Sequence, residues 1–364
     1  MKRHYFLGLA AGRKVGAAKQ LFTIGRKKHL VALEKALSKR YDGTAILCKN
    51  GRSGLAIALG SYFEKGDGII VNGFTCYAVV EAIEAAGCVP VYADITKEDL
   101  NFNVATLKKL VDKSVKGIII QNTLGNPVDI VEIEKFAKKN KLLIIEDLAH
   151  CAGVRYPDKR EVGTVGVATV LSFGKDKSID TTSGGAVVLR DARDWTILAS
   201  PRLCDSARAR WYPTLAAWCR GLARLHLCGA LMRLFVKLHF VEKSADNKLD
   251  TSRRCTKWQA KLALEQIKDL RRTGEGKIRD YCLVNERDKC LKELKKAGYH
   301  FDGFWYERPV SPERYYKKVN FPEKECPVAT EVAAQIINMP RYYPRTKLEK
   351  ARKIIKSYLV EEEK

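Results

Sequence analysis

KLLIIEDLAHCAG, residues 141–153, is the stretch that decides the fold. Leu142 to Ile145 are four consecutive large apolar residues, closed by two carboxylates, Glu146 and Asp147. A short apolar run with no polar alternation reads as a strand covered on both faces, as in a parallel sheet sandwiched between helices. The carboxyl end of such a strand is where α/β sheets bind ligands. A carboxylate ending the strand there calls for donors or a cationic partner.

The same pattern extends in both directions. Upstream, VKGIIIQ (115–121) is a second strand, and the spacing between the two predicts a helix over 128–140. Further upstream lie strands at 69–71 (IIV) and 88–94 (CVPVYAD), with helices over 75–86 and 104–113. Downstream, VATVLSF (167–173) and GGAVVL (184–189) add two strands. TAILC (44–48) runs into Asn50-Gly51-Arg52-Ser53-Gly54 and then LAIALGSYF, a glycine turn opening a helix. Residues 28–39 have helical spacing. The strand–helix alternation predicts an α/β domain with a mostly parallel sheet, and a smaller α+β domain after it. The expected divisions are an N-terminal helical segment (1–40), a large domain (41–199), a basic amphipathic helical insert (200–250) and a small C-terminal domain (251–364). In the last, helix is expected over 254–277, continuing through 278–297, with a final helix over 346–360.

Composition narrows the function. The 364 residues are 46% hydrophobic, enough to bury a sizeable core and to exclude a mostly disordered chain. The formal net charge of +24 attracts polyanions and anionic lipid surfaces. No zinc-finger spacing or arginine–glycine repeat accompanies it, so no specific nucleic-acid partner is expected. None of the 11 cysteines forms a CxxC pair, and Lys2, Arg3, Lys14 and Lys19 break up any leader-like apolar run. Reduced thiols in a cytoplasm are the expectation, and no metal site, because the six histidines form no HExxH. In the insert, PTLAAWCRGLARLHLCGALMRLFVKLHFV (213–241) is interrupted by Arg220, Arg224, Arg233 and Lys237. It is not a membrane span. It reads either as a buried or dimer-packing helical hairpin, or as an interfacial helix on anionic lipid, which would place the protein peripherally at the inner membrane face.

Four features carry chemistry. Asp147 ends its strand as a partner for a protonated ring nitrogen, or else as a helix cap. Lys177, in SFGKDKSIDTTSGGAVV (172–188), has an amine able to form a Schiff base, with Lys175 a local rival and an ordinary surface lysine the plain alternative. Gly51 opens a helix whose N–H groups favour phosphate, with Arg52, Ser53 and Ser172 as further donors. His150 stands beside a ring's hydroxyl oxygen, or is a satisfied histidine at a helix start.

In this order the features resemble the DegT/DnrJ/EryC1/StrS family of sugar aminotransferases, which are fold type I and pyridoxal-phosphate-dependent. The carrying segments are NGRSGLAIAL at 50–59, VPVYADI at 89–95, Glu146-Asp147-Leu148-Ala149-His150-Cys151-Ala152-Gly153, and Ser172-Phe173 through Lys177 to Gly184-Gly185. The resemblance places Lys177 at the Schiff-base position and Asp147 at the pyridine nitrogen. It puts Ala149 on one ring face, Cys76 where a stacking aromatic is common, and His150 near the ring. Gly51, Arg52 and Ser172 fall on phosphate-binding positions. Arg52 replaces the usual threonine, Asp180 and Ser183 stand where threonine and glutamate are common, and Ser252 takes the place of an asparagine ahead of Arg254-Cys255-Thr256. The resemblance implies a cytoplasmic homodimer that moves an amino group from an amino-acid donor, commonly glutamate, to a nucleotide-linked keto-sugar in polysaccharide biosynthesis. Two readings compete with it. One is a sugar dehydratase of the same family, against which the retained Lys177 argues. The other is a noncatalytic scaffold or membrane-surface binding protein on the same fold.

Overall fold

The computed structural model describes residues 22–174, 177–191, 202–203, 234, 238, 248–270, 280–299, 301, 306–339 and 345–360. Lys175, residues 1–21 and nearly all of 213–241 lie outside the described residues.

Helix α1 (Lys27–Tyr41) leads in, burying Leu30, Leu33, Leu37 and Tyr41 at helical spacing. Then come β1 (Thr44–Cys48), α2 (Gly51–Tyr62), β2 (Gly68–Asn72), the two-residue β3 (Thr75–Cys76) and α3 (Tyr77–Ala85). After these follow β4 (Val89–Ala93), α4 (Val104–Leu107), β5 (Val115–Ile120), α5 (Ile130–Lys139), β6 (Leu143–Asp147), β7 (Ala168–Ser172) and β8 (Gly185–Leu189). Seven strands form one sheet in the order β1-β8-β7-β6-β5-β2-β4. All neighbours run parallel except β8, which is antiparallel to both β1 and β7. With β8 reversed between them, β1 and β7 point the same way. The carboxyl ends of β1, β7, β6, β5 and β2 therefore share one edge of the sheet, and that edge carries the site.

The sheet has a separate core on each face. One joins α1, α5 and α6 (Lys257–Asp269) to the strands through Leu33, Ile118, Phe136, Ala263 and their neighbours. The other joins α2 and α3 through Leu59, Val71, Ile83 and Val187. Helix α2 is apolar nearly all round and buries Ile57 on the side opposite Leu55 and Leu59, as a helix wedged between sheet and a second helix must.

The elements after residue 251 contribute to several cores. Helix α6 belongs with α1, and α9 (Pro327–Gln335) packs into the α2 side, where Asp94 accepts from its Val328 and Ala329 N–H groups. Among the described residues, β11 (Tyr281–Leu283), α7 (Arg287–Lys296), β13 (Ile336–Asn338) and α10 (Arg345–Lys356) enclose a small core of their own, around Val284, Cys290, Leu294 and Ile355. The remaining short pieces are β9 (Arg202–Leu203), β10 (Arg253–Arg254), β12 (Val310–Ser311) and α8 (Glu313–Tyr316).

Two expected helices are corrected. The one over 104–113 stops at Leu107 and gives way to turns, first where the Leu110 N–H donates to the Leu107 carbonyl at 3.0 Å and then where Asp112 accepts from the N–H groups of Ser114 and Val115. The stretch 278–297 is not continuous helix. Tyr281–Leu283 is a strand paired antiparallel to Ile336–Asn338, and Glu286, at φ 50°, turns the chain before α7 begins.

Candidate active site

The first wall of the site is the N-terminus of α2. Asn50 caps it in extended conformation, its Oδ1 accepting from the Ser53 N–H at 2.9 Å and the Ser53 hydroxyl at 2.7 Å. Ser53 is fully buried, and its hydroxyl also accepts from the Asp250 N–H at 2.9 Å. Its donors are thus committed to the cap, and Ser53 buttresses the helix end rather than facing a ligand. Gly51 comes so close to β7 that a Cβ on it would sit 2.9 Å from the Ser172 Cβ and 3.3 Å from its Oγ. Gly185 is equally confined, since its Cβ would lie 2.7 Å from the Gly51 nitrogen. Glycine at both positions lets the free N–H groups of the helix end and the Ser172 hydroxyl converge, the arrangement that binds phosphate. Arg52 sends its guanidinium sideways to an ion pair with Glu81 on α3, which holds its positive charge next to this cradle.

The second wall is the end of β6. Successive strand residues face opposite sides, and the two carboxylates have opposite roles. Glu146 is fully buried and accepts from the Tyr156 hydroxyl (2.7 Å) and from the N–H groups of Gly163, Val165 and Gly166 (2.6, 2.8 and 2.7 Å). It fastens the loop that leads into β7. Asp147, also buried, accepts from the Ala149 N–H at 2.9 Å. Burial pushes its carboxyl above the usual range, while the Ala149 N–H and the charge of Lys177 pull it back. Residues 148–153 form turns, so Asp147 caps no helix and His150 stands at no helix start.

Lys177 sits half-buried in the loop between β7 and β8, near enough for its charge to act on both Asp147 and Cys151. The loop is held at several points. Phe173 N–H donates to the Gly184 carbonyl (2.9 Å) and Thr181 N–H to the Phe173 carbonyl (3.0 Å). From α6, Gln266 clasps the Asp180 backbone, accepting its N–H and donating to its carbonyl, both at 2.9 Å. Gln259 donates to the Ser183 hydroxyl at 2.7 Å and carbonyl at 3.0 Å. Thr182 takes a left-handed φ of 67°, a conformation that persists where surroundings enforce it and that clusters at functional sites.

His150 is buried with both nitrogens engaged. Leu124 N–H donates to Nδ1 at 3.2 Å, and Nε2 lies 3.3 Å from the Tyr306 hydroxyl. The accepted bond leaves the ring proton on Nε2, facing Tyr306. Cys76 ends β3 and pairs through the backbone with Ser311, while Tyr77 turns away to stack on Tyr315. Sequence reasoning missed Asn50, Gln259, Gln266 and Tyr306. The first two carried local signals: an asparagine before the helix, and the Thr256–Gln259 capping-box spacing. The last two act only through tertiary contacts. Among the described residues, no cluster of three or more His, Cys, Asp or Glu side chains is arranged to hold a metal.

The Gly51–Ser172 contact, the buried Asp147 and the Lys177 loop lie at the same edge of the sheet, and the charge of Lys177 acts on Asp147. Fold and site define an α/β protein of the fold-type-I aminotransferase architecture. The chain belongs to the DegT/DnrJ/EryC1/StrS aminotransferase family, whose profile matches residues 13–358. It is similar to a GDP-perosamine synthase of Escherichia coli O157:H7, 34% identical over 148 residues that span 40% of each chain. It is also similar to a UDP-N-acetyl-3-dehydro-alpha-D-glucosamine 3-aminotransferase of Acidithiobacillus ferrooxidans, 25% identical over 81% of this chain and 78% of that one. In structure it is similar to a DegT DnrJ EryC1 StrS aminotransferase from Brucella abortus, with TM-score 0.62 and 21% identity over 92% of this chain and 91% of that one.

Proposed function

We propose that this chain is a pyridoxal-phosphate-dependent aminotransferase that moves an amino group from an amino acid, glutamate in the first instance, to a nucleotide-linked keto-sugar. One observation carries the reading. The Lys177 loop, the buried Asp147 and the α2 N-terminus converge at one edge of the sheet, in a chain whose relatives are named for reactions on nucleotide sugars.

When bound, the cofactor would supply an electrophilic carbon and an electron-accepting ring. Gly51 and Arg52 N–H groups and the Ser172 hydroxyl would hold its phosphate. An Asp147 carboxylate oxygen would hold the proton on the ring nitrogen, whose positive charge would favour the ionised carboxylate. Ala149 would lie on one ring face and Cys76 toward the other. His150, with its proton on Nε2, would fix that side of the ring through Tyr306. Lys177 Nζ would bind the cofactor covalently and, once displaced by the donor amine, carry the proton between donor carbon and cofactor.

The working unit is proposed to be a cytoplasmic homodimer. Contact between 213–241 and an anionic membrane surface draws support from Leu234 and Leu238, one helical turn apart and 50% and 54% exposed. No helix among the described residues is long and apolar enough to cross a membrane.

Mixing cofactor-loaded protein with L-glutamate tests the activity. Loss of the visible absorbance with release of one 2-oxoglutarate per site is expected. If the band is unchanged with glutamate and with other amino donors while Lys177 carries cofactor, the noncatalytic reading replaces this one. A deoxygenated rather than aminated sugar product would select the dehydratase.

A further inference from the structure

The sheet has a second end, opposite the active site. There the amino ends of β6, β5 and β2 lie side by side, because these three strands are adjacent and parallel. Lysines crowd the segments that enter them. Lys65 precedes β2, Lys113 and Lys116 stand at the start of β5, and Lys138, Lys139 and Lys141 close α5 and lead into β6. All six are exposed. Three neighbouring strands span about 10 Å, on the order of the Debye length of about 8 Å at physiological ionic strength. The ammonium groups therefore repel one another, and an anionic surface laid against them relieves that repulsion.

No neighbouring acid neutralises them. The ion pairs nearby join Lys135 to Glu132 and Arg160 to Glu134, and among the described residues no carboxylate lies within ion-pair distance of these six lysines. Asp67 and Asp112, acids of the same edge, accept from backbone, the Glu64 N–H at 2.8 Å and the Ser114 N–H at 2.7 Å. Apolar surface lies among the charges. Val89, which begins β4 on this edge, is 50% exposed. Between α5 and the starts of β6 and β7 opens a cleft of about 370 Å³, lined by Ala137, Leu142, Ile144 and Val167 together with Lys135 and Lys138.

The residue types select the partner. Segments 64–68, 108–116 and 138–143 contain seven lysines besides Lys65, but no arginine and no aromatic residue. Nucleic-acid surfaces draw on arginine forks and on rings that stack with bases. Lysines with apolar side chains between them suit a phospholipid surface, where ammonium groups meet the anionic headgroups and apolar groups reach the acyl boundary. We propose that this end of the sheet rests on an anionic phospholipid bilayer. The surface is separate in sequence from 213–241. It turns the active-site edge away from the lipid, toward substrates in the aqueous phase, and it holds whichever reaction Lys177 serves.

Flotation of the full cofactor-loaded chain tests this, with vesicles of phosphatidylcholine alone and of equimolar phosphatidylcholine and phosphatidylserine. Wild type should float with the anionic vesicles and not with the neutral ones, and added salt should weaken the binding. Lys113→Glu/Lys116→Glu/Lys139→Glu/Lys141→Glu should lower the partition coefficient at least about tenfold. Lys289→Glu/Lys292→Glu/Lys295→Glu/Lys296→Glu, on α7, changes the net charge equally and should lower it several-fold less. Glutamine at the four patch positions should give a smaller loss of the same kind, and it reads the surface if the reversed chain fails to fold. Wild type that does not float with anionic vesicles overturns the proposal. So do equal losses in the two reversed proteins, which would assign the binding to net charge, and undiminished flotation of the patch variants, which would assign it to another part of the chain. Tighter binding of a homopolymeric RNA, lost in the same patch variants, would give the surface to nucleic acid and overturn the lipid partner.

Discussion

Replacing Gly51 with alanine should disable the phosphate cradle through a single methyl group. The new Cβ would meet Ser172 Cβ at 2.9 Å, Oγ at 3.3 Å and Cα at 3.4 Å. Carbon atoms rest at about 3.5–4.0 Å, so the helix end and β7 must separate by on the order of half an ångström. Little is free to move. Ser172 is paired to Gly185 across the sheet, and Gly185 itself touches the Asn50 and Gly51 backbone. Overpacking of this kind costs about 1–3 kcal/mol, and the gain from removing a helical glycine offsets at most ~1 kcal/mol of it. Net destabilisation of up to about 2 kcal/mol should remain after that full offset, read by thermal unfolding of the cofactor-free protein. Cofactor Kd, read by fluorescence titration, should rise about tenfold as the N–H groups move off the phosphate. The Ser172→Gly background removes the opposing Cβ, so Gly51→Ala should cost less stability there, a positive coupling in the double-mutant cycle. Cofactor affinity should not recover, because the Ser172 hydroxyl is gone. A Gly51→Ala protein with wild-type stability and unchanged cofactor Kd, or the same cost in both backgrounds, would refute the reasoning.

Burial of Asp147 has a pH signature. Its carboxyl sits above its ordinary value in the cofactor-free fold, so the native state keeps a proton that the unfolded chain has released. Stability from this group is therefore fully present below the unfolded pKa and declines as pH rises toward the folded one. Asp147→Asn should flatten that decline in a series of unfolding temperatures against pH, and parallel curves for the two proteins would remove the argument. Gln266→Leu frees the Asp180 backbone from α6 and should loosen the Lys177 loop. We expect a several-fold lower rate of cofactor attachment to Lys177 by stopped-flow absorbance, with unfolding lowered by about 1–3 kcal/mol for the lost buried partners. An unchanged attachment rate would mean that α6 does not position the loop.

The strands of the main sheet were readable because their apolar runs are short, continuous and bounded. Leu143–Asp147 and Val115–Ile120 are examples. Their order was not, because pairing is a tertiary choice, and nothing in Gly185–Leu189 announces that β8 runs against its neighbours. Strand β11 went unseen for the same reason, since its partner Ile336–Asn338 lies some fifty residues away. At the site, the residue types were legible and their partners were not. Gly51, Ser172, Asp147 and Lys177 were singled out from motif order, and the structure gathers them at one edge. Arg52 and Ser53 stood beside them in sequence, yet Glu81 and Asn50 take up their side chains. His150 is tied to Leu124 and Tyr306, contacts that no local pattern encodes.

The central claim is that Lys177 holds the cofactor, and one measurement tests it most directly. Protein saturated with pyridoxal phosphate is reduced with borohydride, digested, and mapped by mass spectrometry. The account predicts one phosphopyridoxyl group per chain, on Lys177, lost in Lys177→Ala. A saturated protein with Lys177 unmodified, or with the label carried by Lys175 or by surface lysines in proportion to their exposure, would contradict it.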